Sequence, residues 1–361
     1  MILRVYQWFK KEKFYGVLFL IILAVYSYVA FGTHRNLRKA ESPAVHQYEQ
    51  AEQQFQQKLR ADRQSFKTFV ESHPDLAVAV EAFTVFFFLL FLLGLVLEFL
   101  LIFVPSFRKQ VTEPQPFEST IWKFGMLFKA VMLFLTFNLL LTICFAVLKK
   151  YFFPQITENF YLLSHTVLTD SVCLLIIAFM VRQEGGGHWR DLGWRLPSGS
   201  FFRECWMGWA GYAAILPLFI LGLILVLAVS SWLNYEPESH PLVSIFLEEQ
   251  KSIPMISYSL LIAALAGPVI EELFFRGFCY RIFKEKYGIK IGMFLSAFLF
   301  ALIHANTFAF WPIFILGLGL VYLYEIRKSI VAPVVLHITH NAIFIAYFFL
   351  MKTIVSSYST H

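Results

Sequence analysis

Three short clusters in this sequence carry groups able to hydrolyse an amide bond: Glu271-Glu272-Leu273-Phe274-Phe275-Arg276, then Phe300-Ala301-Leu302-Ile303-His304, then His337-Ile338-Thr339-His340-Asn341. On a helix, Glu272 and Arg276 stand four residues apart with the acid N-terminal, the arrangement that suits an i,i+4 ion pair. Glu271 points about 100° away and is left unpaired by that bridge, so one carboxylate reads as structural and its neighbour as available. A carboxylate kept from bulk water can act as general base toward a bound water, with a histidine such as His304 to orient that water or shuttle its proton. His337 and Asn341 are again four apart and share a face, where an imidazole N–H and an amide N–H can donate to the oxyanion formed when water attacks a peptide carbonyl. In a second route, Glu271, His304 and His337 could bind a zinc ion that activates the water. Both routes end in peptide hydrolysis. The compact zinc-protease signature H-E-x-x-H is absent, so no short motif favours the metal. His340, on a partly overlapping face, is left open between ligand and bystander.

The elements that must hold these groups are membrane helices. Of 361 residues, 58% are hydrophobic and only 15% charged, whereas soluble domains are roughly a quarter charged. About 20 apolar residues cross a hydrocarbon core of roughly 30 Å, and this ruler picks out about nine spans. They are Phe14 to Phe31, Ala82 to Val104, Ala130 to Leu148, Phe160 to Val181, Cys205 to Leu233, Met255 to Tyr280, Ile291 to Asn306, Phe308 to Ile326 and Ile330 to Met351. The expected fold is an all-α, polytopic membrane helix bundle. The first run, preceded by Arg4, Lys10, Lys11 and Lys13, is too long for a signal h-region and is read as an uncleaved span.

With the N-terminus inside, nineteen of the 30 lysines and arginines fall in inside segments, which is the bias that sets topology. The net charge of +6 thus reflects membrane orientation and not a nucleic-acid surface. Most of the remaining basic residues lie in one polar outside stretch, about 34–76, where Tyr48, Phe55, Leu59, Phe66 and Val70 recur by sevens and fours and predict an amphipathic helix or helical hairpin. The inside loop Arg182 to Arg203, with Gly185, Gly186 and Gly187 and then Pro197-Ser198-Gly199, reads as a flexible connector. The chain accordingly divides into a transmembrane hairpin with its outside segment (1–110), connecting spans with an inside loop (111–198), and a helix bundle bearing the three clusters (199–352). Cys144, Cys173, Cys205 and Cys279 lack disulfide or zinc-ribbon spacing and read as reduced packing residues.

Helix rise puts Glu271 about 15 Å, His304 about 20 Å, and His337 and Asn341 about 12–18 Å from the inside loops. Three helices therefore bring a carboxylate, an imidazole and a carboxamide to one depth near the bilayer midplane. In this order and spacing, Glu271-Glu272-x-x-x-Arg276, Phe300-x-x-x-His304 and His337-x-x-x-Asn341 resemble the three motifs of the CPBP intramembrane proteases, a family that includes the CAAX prenyl endopeptidases and relatives linked to bacteriocin processing. The resemblance covers about Gly199 to Lys352. It implies a membrane endopeptidase in which Glu271 activates water with help from His304, His337 and Asn341 stabilise the oxyanion, and Glu272 and Arg276 hold the helix geometry. It leaves a divalent metal, zinc, and a metal-free glutamate mechanism equally open. The partners expected are the lipid bilayer and a membrane-associated protein or peptide substrate, prenylated CAAX substrates included, with no nucleic acid. The protein is expected in a cell membrane as a multi-pass chain, the plasma membrane of a bacterium or archaeon, or the endoplasmic reticulum of a eukaryote. His340 is an addition to the family pattern, and the first 110 or so residues match nothing in it.

Other polar residues at membrane depth are read as minor: His165 as an interface residue, Asp170 as its neighbour, Glu98 as a side chain snorkelling to the inside surface. Two functions of other classes fit the same residues: a proton-coupled transporter using buried Glu and His as a relay, and a non-catalytic membrane scaffold.

Overall fold

The computed structural model describes residues 13–33, 43–61, 63–112, 122–184, 187–196, 200–233, 241–249 and 252–359. Arg4, Lys10, Lys11, the stretch 34–42, Gly185, Gly186 and Pro197-Ser198-Gly199 lie outside the described residues. In chain order the helices are α1 (Lys13–Thr33), α2 (Pro43–Ala61), α3 (Arg63–Ser72), α4 (Pro74–Phe103), α5 (Pro105–Thr112), α6 (Phe124–Tyr151), α7 (Glu158–Phe179), α8 (Phe201–Leu233), α9 (Pro241–Glu248), α10 (Ile253–Tyr287), α11 (Ile289–Ile303), α12 (Phe310–Arg327) and α13 (Val331–Ser359). No strand occurs among the described residues, and the fold is all-α. Among the described residues seven helices are long and apolar enough to cross a membrane: α4, α6, α7 extended to Arg182, α8, α10, α12 and α13 to Tyr358. Helical structure also lies at the other two expected spans, but the apolar stretches there, Lys13–Ser27 and Ile289–Ile303, are shorter. The protein is a multi-pass membrane protein.

The chain forms two compact units. The first comprises Met1–Glu41 and Thr120–Asp191. In it α6 packs on α7, and Met126, Ala130, Leu163 and Ile177 on the two helices are buried. At membrane depth His165 bridges the two helices, Nε2 to the Thr142 hydroxyl (3.1 Å) and Nδ1 to the Thr169 hydroxyl (3.4 Å), the kind of polar contact that joins helices where lipid gives no hydrophobic drive.

The second unit comprises Ser42–Ser119 and Leu192–His361 and holds all three sequence clusters. Its long helix α8 packs against α4, α12 and α13 around a core of Tyr212, Leu216, Phe219, Phe300, Leu320 and Leu336. One end of this unit is tied by ions. Arg327 grips Glu204 with two nitrogens (2.5 and 3.2 Å), and Glu325 accepts from Lys284 (2.7 Å), Lys328 (2.5 Å) and the Tyr280 hydroxyl (2.8 Å). The loop expected to be a flexible connector is instead anchored here along Leu192 to Arg195. Tyr324 donates to Leu192 O, Ile330 N to Gly193 O and Ser329 to Arg195 O. Gly193 has φ +94°, and a β-carbon there would lie 2.7 Å from the Tyr324 ring, so glycine is required on both counts.

At the other end, the described part of the polar stretch folds as the expected helices, α2 and α3. Phe55 and Phe69, with Tyr48, Leu59, Phe66 and Val70 around them, pack on Ile354, Val355 and Tyr358 at the end of α13. The apolar period of α2 and α3 is thus spent on the last helix.

Within the bilayer, α4 meets α8 where Pro217 lies inside the helix. A proline has no N–H to give the carbonyl four residues back, which is Ala213 O. Gly94 fills the gap: a β-carbon at 94 would sit 2.2 Å from Ala213 O and 2.8 Å from Pro217 Cδ. On the same face of α4, Glu98 is half-buried, with its Oε1 buried and without a hydrogen-bond partner. Replacement of Gly94 by Ala is expected to force the helices apart and cost about 1–3 kcal/mol, the usual penalty of overpacking. A thermal-unfolding series in detergent should show the Gly94→Ala midpoint well below that of the parent, with Gly193→Ala lowered as well.

Candidate active site

The two glutamates sit on α10 in a short α-helical turn, Gly267–Glu272, set between two wider π-type stretches, Ile262–Ala266 and Leu273–Tyr280. Such interruptions recur at functional sites because they re-aim side chains without ending the helix. Here they divide the two acids. Glu272 is fully buried (0% exposed), as is Arg276, and Arg276 NH1 donates to Glu272 Oε1 at 2.7 Å. The side chain of Glu271 is 34% exposed, although its Oε2 is buried, and the Oε2 atoms of both acids have no hydrogen-bond partner. One acid is therefore committed to a buried ion pair, while its neighbour can be reached.

Arg276 is held on three further sides. Its NH2 lies 3.4 Å from Gly317 O on α12, its guanidinium stands 4.3 Å over the centroid of Phe300 on α11, and the Phe275 ring is 5.9 Å away. A desolvated guanidinium over an aromatic face gains about 2 kcal/mol from the ring quadrupole. Phe300 is the hub of the site, since His304 (4.8 Å), His337 (5.6 Å) and Phe275 (5.2 Å) also meet its ring edge-on.

α11 stops at Ile303, earlier than the apolar run suggests, and His304 occupies the position just after its last residue, followed by Ala305 in the left-handed region. The turn is closed by Asn306, whose side chain accepts from Ala309 N (2.9 Å). His304 Nδ1 lies 2.7 Å from Phe300 O. A carbonyl can only accept, so Nδ1 carries the hydrogen and Nε2 presents a lone pair. One residue that the sequence did not single out belongs to the same stripe. Ser296, four before Phe300 and eight before His304, donates to Phe275 O (3.0 Å), inside the widened part of α10. Its spacing from Phe300 is the signal that marks it.

From α13, His337 is buried and its Nδ1 lies 3.0 Å from Glu272 Oε1. The carboxylate oxygen that binds Arg276 thus also accepts from His337, which leaves Nε2 directed toward Glu271 Oε2 at 3.9 Å. Asn341, one turn further, donates through Nδ2 to Ala263 O at 2.8 Å. His340 goes elsewhere. Its ring sits among Phe219 (4.9 Å), Phe344 (4.7 Å) and Tyr212 (5.9 Å), facing α8, with Nδ1 buried and unpartnered. The structure therefore groups Arg276, His304 and His337 around Phe300, with Glu272 between Arg276 and His337, Glu271 beside His337 and Asn341 on the adjoining turn, and sets His340 apart. For the zinc alternative the test is convergence. Among the described residues no three His, Cys, Asp or Glu side chains are placed to hold a metal ion together, so Glu271, His304 and His337 do not form a ligand set as they stand.

Residues 253–343, which contain all three clusters, match the family model described as type II CAAX prenyl endopeptidase Rce1-like. No curated protein and no solved structure matches the chain.

The buried pair yields a stability prediction. Arg276→Ala leaves Glu272 buried without its cation, a loss of about 3–5 kcal/mol for broken buried pairs. The expected outcome is loss of monodisperse protein on size-exclusion chromatography. Removing both partners, Glu272→Ala with Arg276→Ala, should recover part of the yield, since no charge is then stranded.

Proposed function

Since the stretch 253–343 belongs to the Rce1-like CAAX endopeptidase family, we propose that the protein is an intramembrane endopeptidase acting on membrane-associated peptides, prenylated CAAX chains among them. The observation that carries this reading is the contrast between two adjacent carboxylates. Glu272 is sealed in an ion pair with its side chain 0% exposed, while the Glu271 side chain is 34% exposed and its Oε2 lies 3.9 Å from His337 Nε2 on another helix.

In the proposed reaction a water molecule donates one hydrogen toward the Glu271 carboxylate and the other toward the His304 Nε2 lone pair, aiming its oxygen at the scissile carbonyl carbon. Glu271 takes the proton as the new C–O bond forms. The carbonyl oxygen gains the negative charge and accepts from the Asn341 N–H that Ala263 leaves unused. His337 adds a second donor only in its doubly protonated form, because Nδ1 is already given to Glu272; an imidazolium at this position lies between the two carboxylates. Collapse of the tetrahedral species breaks the C–N bond, and the leaving amine takes the proton held by Glu271. Glu272 and Arg276 keep His337 and Phe300 in register and take no part in the bond changes.

The test is purified protein in lipid assayed on a panel of prenylated and unprenylated membrane peptides. Glu271→Gln should fold normally and lose at least the 10²–10⁴-fold contributed by a positioned general base. A well-folded Glu271→Gln protein that cleaves as fast as the parent would sink the reading, as would a parent that cleaves nothing in the panel.

A further inference from the structure

Asn341 is held by a carbonyl that an intact helix would have occupied. In the widened stretch of α10, Gly267 N bonds Ile262 O, five residues back. Continuing that register, the N–H of residue 268 would reach Ala263 O. Residue 268 is proline, which has no N–H to offer. In an ordinary α-helical register the same carbonyl would be claimed by Gly267 N instead, but that N–H is already engaged one residue earlier. Ala263 O is thus released from the backbone ladder by the combination of Pro268 and the π-type turn. It is this oxygen that accepts the Asn341 carboxamide at 2.8 Å from α13. At membrane depth no bulk water competes for it, and a freed carbonyl is satisfied by a neighbouring helix or not at all.

A second consequence follows from the acceptor chemistry. A carboxamide can turn over by 180° about its last torsion, exchanging its NH₂ and C=O ends. Ala263 O accepts and cannot donate, so the bond admits only the NH₂ end, and the second N–H and Oδ1 of Asn341 are fixed with it. We propose that Pro268 is a positioning residue: by freeing Ala263 O it locks the Asn341 carboxamide in the one orientation that directs its remaining N–H to the reacting carbonyl. The assignment of a direction toward the reacting carbonyl rests on the peptidase reading, whereas the lock itself does not.

The substitution that tests the lock is Pro268→Ala, which restores an N–H and suits a helix interior better than proline, so folding is retained. Where the five-residue register continues through residue 268, or the four-residue register returns at Gly267, a backbone N–H competes for Ala263 O; a return to the four-residue register only at residue 268 would leave that oxygen free without the proline, and the exchange described below would then stay slow. Two measurements separate the lock from the chemistry. With ¹⁵N-asparagine labelling in micelles, the side-chain amide signal that disappears in Asn341→Ala identifies residue 341. In the parent, one of its two protons should exchange with solvent slowly; in Pro268→Ala both should exchange fast. On peptides that the parent cleaves, Pro268→Ala should lower kcat about tenfold to a hundredfold with KM little changed, less than the roughly 10²–10³-fold of deleting an oxyanion donor outright. In an Asn341→Ala background Pro268→Ala should add no further loss. An α-hydroxy acid at 268, which also lacks the N–H but has no ring, should restore both slow exchange and rate. Slow exchange persisting in Pro268→Ala overturns the proposal, and so does a loss of kcat that adds in full to that of Asn341→Ala. If the exchange behaves as expected while the parent cleaves no peptide, the lock stands and the peptidase reading fails.

Discussion

A full positive charge lies buried at membrane depth in Arg276, and the second unit is organised around satisfying it. Removing such a charge from water costs several kcal/mol even after relaxation, so the guanidinium persists only where every neighbour contributes. Those neighbours come from four helices. Glu272 on its own helix neutralises it, Gly317 O on α12 faces it, Phe300 on α11 spreads beneath it, and His337 on α13 reaches it through the shared Glu272 oxygen. The same contacts that settle the charge therefore fix the relative registers of α10, α11, α12 and α13. The candidate site inherits its geometry from an ion pair that does not itself take part in the proposed bond changes.

The two adjacent glutamates show how a helix assigns different tasks to identical side chains. Successive residues diverge by about 100°, so one acid turns into the bundle and the other toward its accessible side. The ion pair then makes the distinction permanent, because Glu272 cannot leave without stranding Arg276. Hydrogen-bond accounting extends the same logic to the imidazoles. Both His304 and His337 give Nδ1 to a fixed acceptor, one a carbonyl and one a carboxylate, which leaves each Nε2 uncommitted, that of His337 lying 3.9 Å from Glu271 Oε2.

What could be read from the sequence was whatever depends on helical spacing alone. The apolar runs, the four-residue step from Glu272 to Arg276, the step from His337 to Asn341, and the sevens and fours of 34–76 are all consequences of 3.6 residues per turn, and the helices realise them. What depends on a partner from another helix was not legible. Nothing in the spacing tells that His337 gives its Nδ1 to Glu272, that His340 faces Phe219 and Phe344, or that Ser296 reaches a carbonyl in α10. Within the 182–203 loop, read as flexible from Gly185, Gly186, Gly187 and Gly199, the spacing gave no sign of Gly193, which marks a close approach to Tyr324. The end of α11 was missed because an apolar run carries no sign of where its helix stops; the polar cue, Asn306, lies three residues beyond the last helical one.

The length of α11 matters beyond its fit to its neighbours. Its 15 residues rise about 22 Å, short of a hydrocarbon layer of about 30 Å, and α12 begins again only at Phe310. Lipid beside the turn between them meets a protein wall too low for its own thickness. Such hydrophobic mismatch is relieved by dimpling the leaflet, at a cost of fractions of a kcal/mol per ångström. The short helix therefore costs the surrounding lipid little, and it lets the chain set His304 at a turn instead of within a full-length span.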